Sequence, residues 1–252
     1  MKMKLGVMYN VFDGEENLPM SVESIRGVAD VIGVVYQDES NFGERRDLVP
    51  LKRMLNELGI KIKVYYERRG KVGAAAEAEK RNLGLNTAKL HGCTHFMTMD
   101  CDEVYDPKQI AMVKDDVEAN DWHSTACQML TYYKRPNIVL DPPEEYYVPL
   151  IYRLDGRRFG GGHQPFPVSA DPTRRLATSG DSRYRLYTRD EIQMHHYSMI
   201  RNDIRKKLRN SSAVVNFADR VEDIAHYYDE YVEGQPAYWP GSEVRMLPVK
   251  VL

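Results

Sequence analysis

Cysteine is scarce in this chain, with three in 252 residues, at positions 93, 101 and 127, and no CxxC pair. Three thiols make no even framework, which excludes a disulfide-stapled secreted scaffold and leaves reduced thiols as the expectation. Long apolar runs are missing too. No stretch approaches the ~18 residues of a membrane span, and the opening run Leu5–Met8 is too short for a signal-peptide core. An untargeted, cytoplasmic protein is therefore expected. There is no repeat, low-complexity tract or linker, and no G-x-G-x-x-G, Walker or G-x-S-x-G motif. With 42% apolar and 29% charged residues, the composition is that of a globular chain with one sizeable core.

Neither sign of charge is in excess, the net being -2. The distribution is uneven, however. Residues 151–210 carry 13 Lys and Arg against 6 Asp and Glu, a net of +7, between flanking segments of -5 and -4. Such asymmetry marks either a surface for an anionic partner or a solvated basic helix.

The first third alternates apolar runs with helical spacing. Strands are expected at 4–9, 31–37, 60–66 and 94–100, with helices at 17–28, 44–58 and 73–90 between them and another at 107–119. Strand and helix units in series imply a mostly parallel sheet with helices on both faces. Right-handed crossovers then place the C-terminal strand ends on one edge, where such sheets bind ligands. Unusual polar residues fall at those ends: Tyr9 and Asn10, Gln37 and Asp38, Asp100 and Asp102. The second half reads as antiparallel and loop-heavy, with strands at 122–133, 146–153 and 191–195, a long loop at 158–181, and helices at 198–209 and 218–232.

The sharpest local feature is TMDCDEVYDP at 98–107, where an apolar strand ends in Asp100, Cys101, Asp102 and Glu103. On an extended chain Asp100 and Asp102 share a face, and hard oxygen ligands so placed suit Mg²⁺ or Mn²⁺. Alone, such a triplet equally describes a solvated turn or a helix cap. HGCTH at 91–95 invites a zinc reading, but its spacing fits no zinc knuckle and the run is better explained as core.

Three segments in order carry a resemblance: YNVFDGEENLPMSVESI after the first strand, VVYQDESNFGE after the second, and EKRNLGLNTAKLHGCTHFMTMDCDE. Over most of the first 110 residues the chain resembles a nucleotide-sugar-dependent glycosyltransferase of the GT-A fold, close to family 2. The resemblance implies a single α/β domain over 1–252. It would divide into a nucleotide-sugar-binding half at 1–106, a loop-rich acceptor half at 107–197 and a C-terminal helical extension at 198–252. It also implies a nucleoside-diphosphate-sugar donor and a divalent metal, Mn²⁺ or Mg²⁺, held by Asp102, with Asp100 near the ribose or sharing the metal through water. Tyr9, Asn10, Gln37, Asp38 and Asn41 would line the nucleoside site, with Gln37-Asp38 standing where the family usually has paired aspartates. Lys80 and Arg81 would meet the phosphates or the donor sugar.

GT-A enzymes often supply a late histidine to the metal, and IQMHHYSMIR at 192–201 offers His195 and His196. Neighbours on a strand face opposite ways, and His196, which opens the HYSMIR run, is the preferred ligand. An inverting transfer needs a base on the acceptor side. Glu144, Glu145, Asp171 and Asp181 are candidates, and Asp181, at the end of the basic loop, is the choice. Many of the cations from Arg153 to Arg209 could face one groove, with Tyr184, Tyr187 and Tyr197 available for stacking. That leaves nucleic acid, an anionic glycan or a lipid-linked phosphate at a membrane surface as acceptor classes. Two other classes compete: a nucleotidyltransferase, against which the absence of a Gly-rich N-terminal loop speaks, and a non-catalytic nucleic-acid-binding protein using residues 151–210. The sequence fixes no oligomeric state.

Overall fold

The computed structural model describes residues 2–160, 165–176, 183–241 and 243–252. The chain opens with β1 (Leu5–Val11), α1 (Leu18–Ile25), β2 (Val31–Tyr36), α2 (Val49–Glu57), β3 (Ile62–Tyr65), α3 (Gly73–Leu90) and β4 (His95–Asp100). β1 pairs in parallel with both β2 and β4, and β2 with β3, giving the order β3-β2-β1-β4 with every C-terminal end on one edge. This is the parallel wing that the periodicity predicts. α2 opens at Val49 rather than at Glu44, because Ser40 Oγ accepts from the backbone N–H groups of Phe42 and Glu44 and holds a loop there. Pro50, in the first turn, fits the helix start.

A period of two sorts the residues of β1. Leu5, Val7, Tyr9 and Val11 enter the core beneath α1 and α2, while Met8 packs in the layer of α3. Gly6 lets α3 come close: a Cβ there would lie 2.9 Å from both Ala88 Cβ and Cys93 Sγ. Helices thus cover both faces.

After β4 come β5 (Glu103–Val104) and α4 (Pro107–Asn120), whose N-cap Asp106 accepts from the N–H groups of Lys108 and Gln109 at 2.8 and 3.0 Å. The second half adds β6 (Ser124–Tyr133), β7 (Arg135–Leu140), β8 (Tyr147–Arg153), β9 (Tyr184–Leu186) and β10 (Gln193–Met199). β8 lies antiparallel between β4 and β6, β7 runs antiparallel to β6, and β9 and β10 run parallel to it. β10 also pairs antiparallel with β5, setting His195 opposite Val104 and His196 opposite Glu103. The long loop is not structureless where it is described: Phe159, Phe166, Ala170 and Leu176 are buried in the α3 layer.

The C-terminal segment departs from the helical extension expected at 198–252. β10 continues to Met199, and helices occupy only α5 (Ile204–Asn210) and α6 (Val221–Asp229). The tail returns as β11 (Ala237–Pro240), β12 (Val244–Leu247) and β13 (Val249–Val251). β11 and β12 form a hairpin, and β13 extends the main sheet against β7. Pro236, Gly241 and Pro248 punctuate three runs too short to show a period. No helix among the described residues is long and apolar enough to cross a membrane.

Phe217 is fully buried among Ile204, Leu208, Ile224 and Tyr228 and ties α5 and α6 to Tyr133 and Met199 of the sheet. Truncating it to alanine removes a packed ring and should cost about 3–5 kcal/mol in urea unfolding. A loss under 1 kcal/mol would show that these helices are not anchored by this contact.

Candidate active site

Three carboxylates end β4 and open β5, and each is held by a cation arriving from elsewhere in the chain. Asp100 Oδ2 accepts from Arg174 Nη2 at 2.9 Å and from Arg81 Nη2 at 3.3 Å. Burial pushes the Asp100 carboxyl up, but Arg81 and Arg174 together prevail and hold it at about 2. Glu103 is buried and bridges to Arg174, whose Nη1 also reaches Glu103 Oε2 at 3.0 Å and the Thr98 carbonyl at 3.2 Å. Asp102 is buried on a different pair, Arg201 and Lys207, with Lys207 Nζ at 3.5 Å. Burial raises its pKa, and Arg201 and Lys207 bring it well below the usual carboxylate range.

The strand stops at Asp100 and the chain turns through Cys101 and Asp102, so the alternation expected of an extended run does not hold. Asp100 and Asp102 consequently serve separate cation pairs instead of sharing a face. Among the described residues His196, on β10 beside Glu103, is coupled electrostatically to both. Burial pushes its imidazole down to about 4 against the pull of Asp102, so the ring is neutral at physiological pH, and its Nδ1 is buried with no hydrogen-bond partner. His195 faces the other way, sharing a 2.8 Å hydrogen bond with the Tyr132 hydroxyl through Nδ1, and drops out of the expected metal set.

Of the nucleoside candidates, Asn10 sits opposite Asp100 in the β1–β4 register and donates to Thr98 Oγ1 at 3.0 Å. Gln37 is buried at the end of β2, its Nε2 3.4 Å from Asn41 Oδ1 and its Oε1 without a partner. Asp38 accepts the Tyr65 hydroxyl at 2.7 Å on the rim. Tyr9 does not belong to this group. β1 runs on to Val11, so Tyr9 is still inside the strand, on its core face, with its hydroxyl 3.1 Å from Ser21 Oγ.

Lys80 and Arg81 lie on the inner face of α3, both buried. Arg81 is committed to structure, spanning Glu77, Thr98 and Asp100. Lys80 has no carboxylate within ion-pair distance among the described residues, and burial pushes its ammonium down to about 8 against Glu77 and Asp100. An unpaired buried cation beside a strand end is half of an anion site.

The basic groove expected over 151–210 is not formed by the described residues. Arg153 pairs with Asp121, Arg157 with Asp155, Arg185 with Glu191, Arg205 with Glu222 and Asp229, Lys206 with Asp13, and Arg209 with Glu44. Arg189 donates to the carbonyls of Met129 and Glu144, and Arg183 lies over Trp122 at 5.3 Å. The tyrosines are scattered as well: Tyr187 is buried with its hydroxyl on Asp116, Tyr184 meets Phe166, and Tyr197 stacks on Tyr132 with centroids 4.4 Å apart. Asp181 lies outside the described residues. Asp171 caps the turn at 172–174 and is tied to Thr173 and Arg174. Glu144 accepts the hydroxyl of Thr131, the residue opposite His196 in the β6–β10 register, and burial raises its pKa. Sequence reasoning missed Arg174 and Arg201 as partners of the acidic turn, since they lie 74 and 99 residues away from Asp100 and Asp102.

A parallel wing ending in an acidic turn is thus continued by an antiparallel half that returns a histidine to that turn. No protein-family model and no curated protein sequence matches the chain. Among solved structures it is similar to S. aureus TarS 1–349, at 13% identity over 84% of this chain and 65% of that one, with a TM-score of 0.47. It is also similar to S. aureus TarS, at 13% over 89% and 44% with TM-score 0.45, and to GalNAc-T7 with UDP, GalNAc and Mn²⁺, at 11% over 91% and 52% with TM-score 0.49. The chain thus spans between 44% and 65% of the length of each.

Replacing Arg174 with methionine strands Glu103 as a buried charge and leaves the half-exposed Asp100 with Arg81 alone. It should cost about 3–5 kcal/mol, the range for breaking a buried pair. Chemical denaturation reads this directly, and a loss within 0.5 kcal/mol would show that the two carboxylates are solvated in the folded protein.

Proposed function

We propose that the chain transfers a sugar from a nucleoside-diphosphate sugar to an acceptor hydroxyl. The observation that carries this reading is the convergence on one sheet edge, around Asp100 and Asp102, of Gln37 Oε1 and His196 Nδ1, buried without partners among the described residues, and of the Lys80 ammonium, which has no carboxylate within ion-pair distance among them. Buried polar groups without partners are costly, and a bound ligand that supplies partners removes the cost. Gln37 and Asn41 would meet the nucleoside, Asp38 on the rim the outer part of the donor, and Lys80 a phosphate. Asn10 and Asp100 stand where the ribose or donor sugar would lie.

His196 and Asp102 fit a divalent metal, because the neutral imidazole has a free buried nitrogen beside a carboxylate that stays ionised. A mixed nitrogen and oxygen set of this kind suits Mn²⁺, with Mg²⁺ the alternative. Such an ion would act as a Lewis acid that offsets charge on the departing diphosphate. Among the described residues no group of three His, Cys, Asp or Glu forms a metal site. The remaining coordination would come from the diphosphate.

Among the described residues Glu144 is the acceptor-side carboxylate assigned as base, linked through Thr131 to the strand that carries His196. As base it would take the acceptor hydroxyl proton while the hydroxyl oxygen attacks the anomeric carbon and the diphosphate leaves, inverting that centre. Asp181 remains the alternative for this role. Arg158 and Arg175, which form no ion pair with described residues, are the cations left for an anionic acceptor such as a nucleic acid or acidic glycan.

Asp102→Asn preserves shape and should lower turnover at least 100-fold with an unchanged circular dichroism spectrum. Full activity in that variant, or in wild type with excess EDTA, would contradict the metal assignment. Because Glu144 must be ionised to accept a proton and its pKa is raised, kcat/KM should fall with decreasing pH at a midpoint above the ordinary glutamate value of 4.5. Glu144→Gln should abolish transfer while donor affinity changes less than threefold. Retained transfer would remove Glu144 from the mechanism.

A further inference from the structure

We infer that Arg201 and Lys207 hold Asp102 as their counter-ion until a nucleoside diphosphate arrives, so that a divalent cation reaches Asp102 only together with that diphosphate. The inference rests on the reading of Asp102 and His196 as the metal pair. It adds two residues to the site and an order to its binding.

Both cations come from the segment following β10 and converge on one oxygen, Asp102 Oδ2. The position of Arg201 is built into the fold. Its Nε donates to the Ser198 carbonyl at 3.1 Å. Its guanidinium lies where a Cβ at position 14 would fall, 1.8 Å from Nη1, and Gly14 takes φ +88°, a backbone conformation that favours glycine. Nη1 itself is buried and has no acceptor among the described residues. The guanidinium is therefore fixed beside the acidic turn with one donor unused, a group matched to a phosphate oxygen.

A divalent cation entering alone meets a single carboxylate already opposed by two positive charges. Of the neighbouring carboxylates, Asp13 is already paired with Lys206 and Glu15 with Arg46, while Glu16, which accepts the Asn202 N–H at 3.0 Å, faces Arg201. A diphosphate changes this balance. Its negative charge gives Arg201 and Lys207 a new partner and frees Asp102, and its oxygens complete a coordination shell for which the described residues offer only two ligands. Donor and metal then enter as a unit, and the same two cations are in place on the diphosphate when it departs.

Calorimetric titration of Mn²⁺ tests this, alone and with UDP, GDP, CDP or ADP, on wild type and on Lys207→Gln and Arg201→Gln. Lys207 is a quarter exposed, so its variant is expected to fold even where the Arg201 change does not. Wild type should bind Mn²⁺ at least tenfold more tightly with its own nucleoside diphosphate than without. Each folded variant should bind Mn²⁺ alone at least tenfold more tightly than wild type does and lose nucleotide affinity by a comparable factor. Normal nucleotide binding with unchanged Mn²⁺ affinity in the variants overturns the inference alone. A wild type that binds no nucleoside diphosphate, with or without Mn²⁺, overturns the donor-site reading and this inference with it.

Discussion

Asp100, Asp102 and Glu103 bring three negative charges to the end of a core strand, and the last two of them are buried. That is the constraint from which much of the structure follows. Ionised carboxylates out of water require cations within a few ångströms, or they take up protons. None is available in the local sequence. Arg81 comes from α3, Arg174 from the segment beyond β8, and Arg201 with Lys207 from beyond β10. The antiparallel half and the C-terminal helices can be understood as the means of delivering these groups to the edge of the parallel wing. Cluster by cluster, the apolar packing fixes the elements that carry them.

Such pairs are weak contributors to net stability, because desolvating both partners offsets most of their attraction. What they provide is position. Asp100 and Arg174 hold each other in one geometry, and so do Asp102 and Arg201, leaving Gln37 Oε1 and His196 Nδ1 without partners, and Lys80 without an ion pair, among the described residues. An edge with its carboxylates fixed and its cations partly unmatched is arranged to receive an anion together with a cation. The diphosphate and metal of a nucleotide-sugar reaction have those charges.

Much of this was legible in the sequence, for identifiable reasons. Four parallel strands announced themselves through apolar runs of ordinary length, and the acidic turn through clustered carboxylates at the end of one of them. The error at Tyr9 came from ending β1 two residues early: Tyr9, read as lying past the strand end, is still inside the strand on its core face. Cation counting misled over 151–210, since charge density records neither burial nor pairing. Lys206, Arg205 and Arg209 line one helix, yet each has an acidic partner within the protein. Arg174 and Arg201 could not be singled out at all. Only the folded topology distinguishes them from the other arginines nearby, and the three C-terminal strands are too short to carry a period.

The central claim is that the edge around Asp100, Asp102 and His196 binds a nucleoside diphosphate. Crystallisation with UDP, GDP, CDP or ADP in the presence of Mn²⁺ tests it most directly. The account predicts diphosphate density between Lys80 and Arg201, the base beside Gln37, and a metal peak touching Asp102 Oδ and His196 Nδ1. Nucleotide density elsewhere on the chain, with the Arg201–Asp102 pair unchanged, would contradict it.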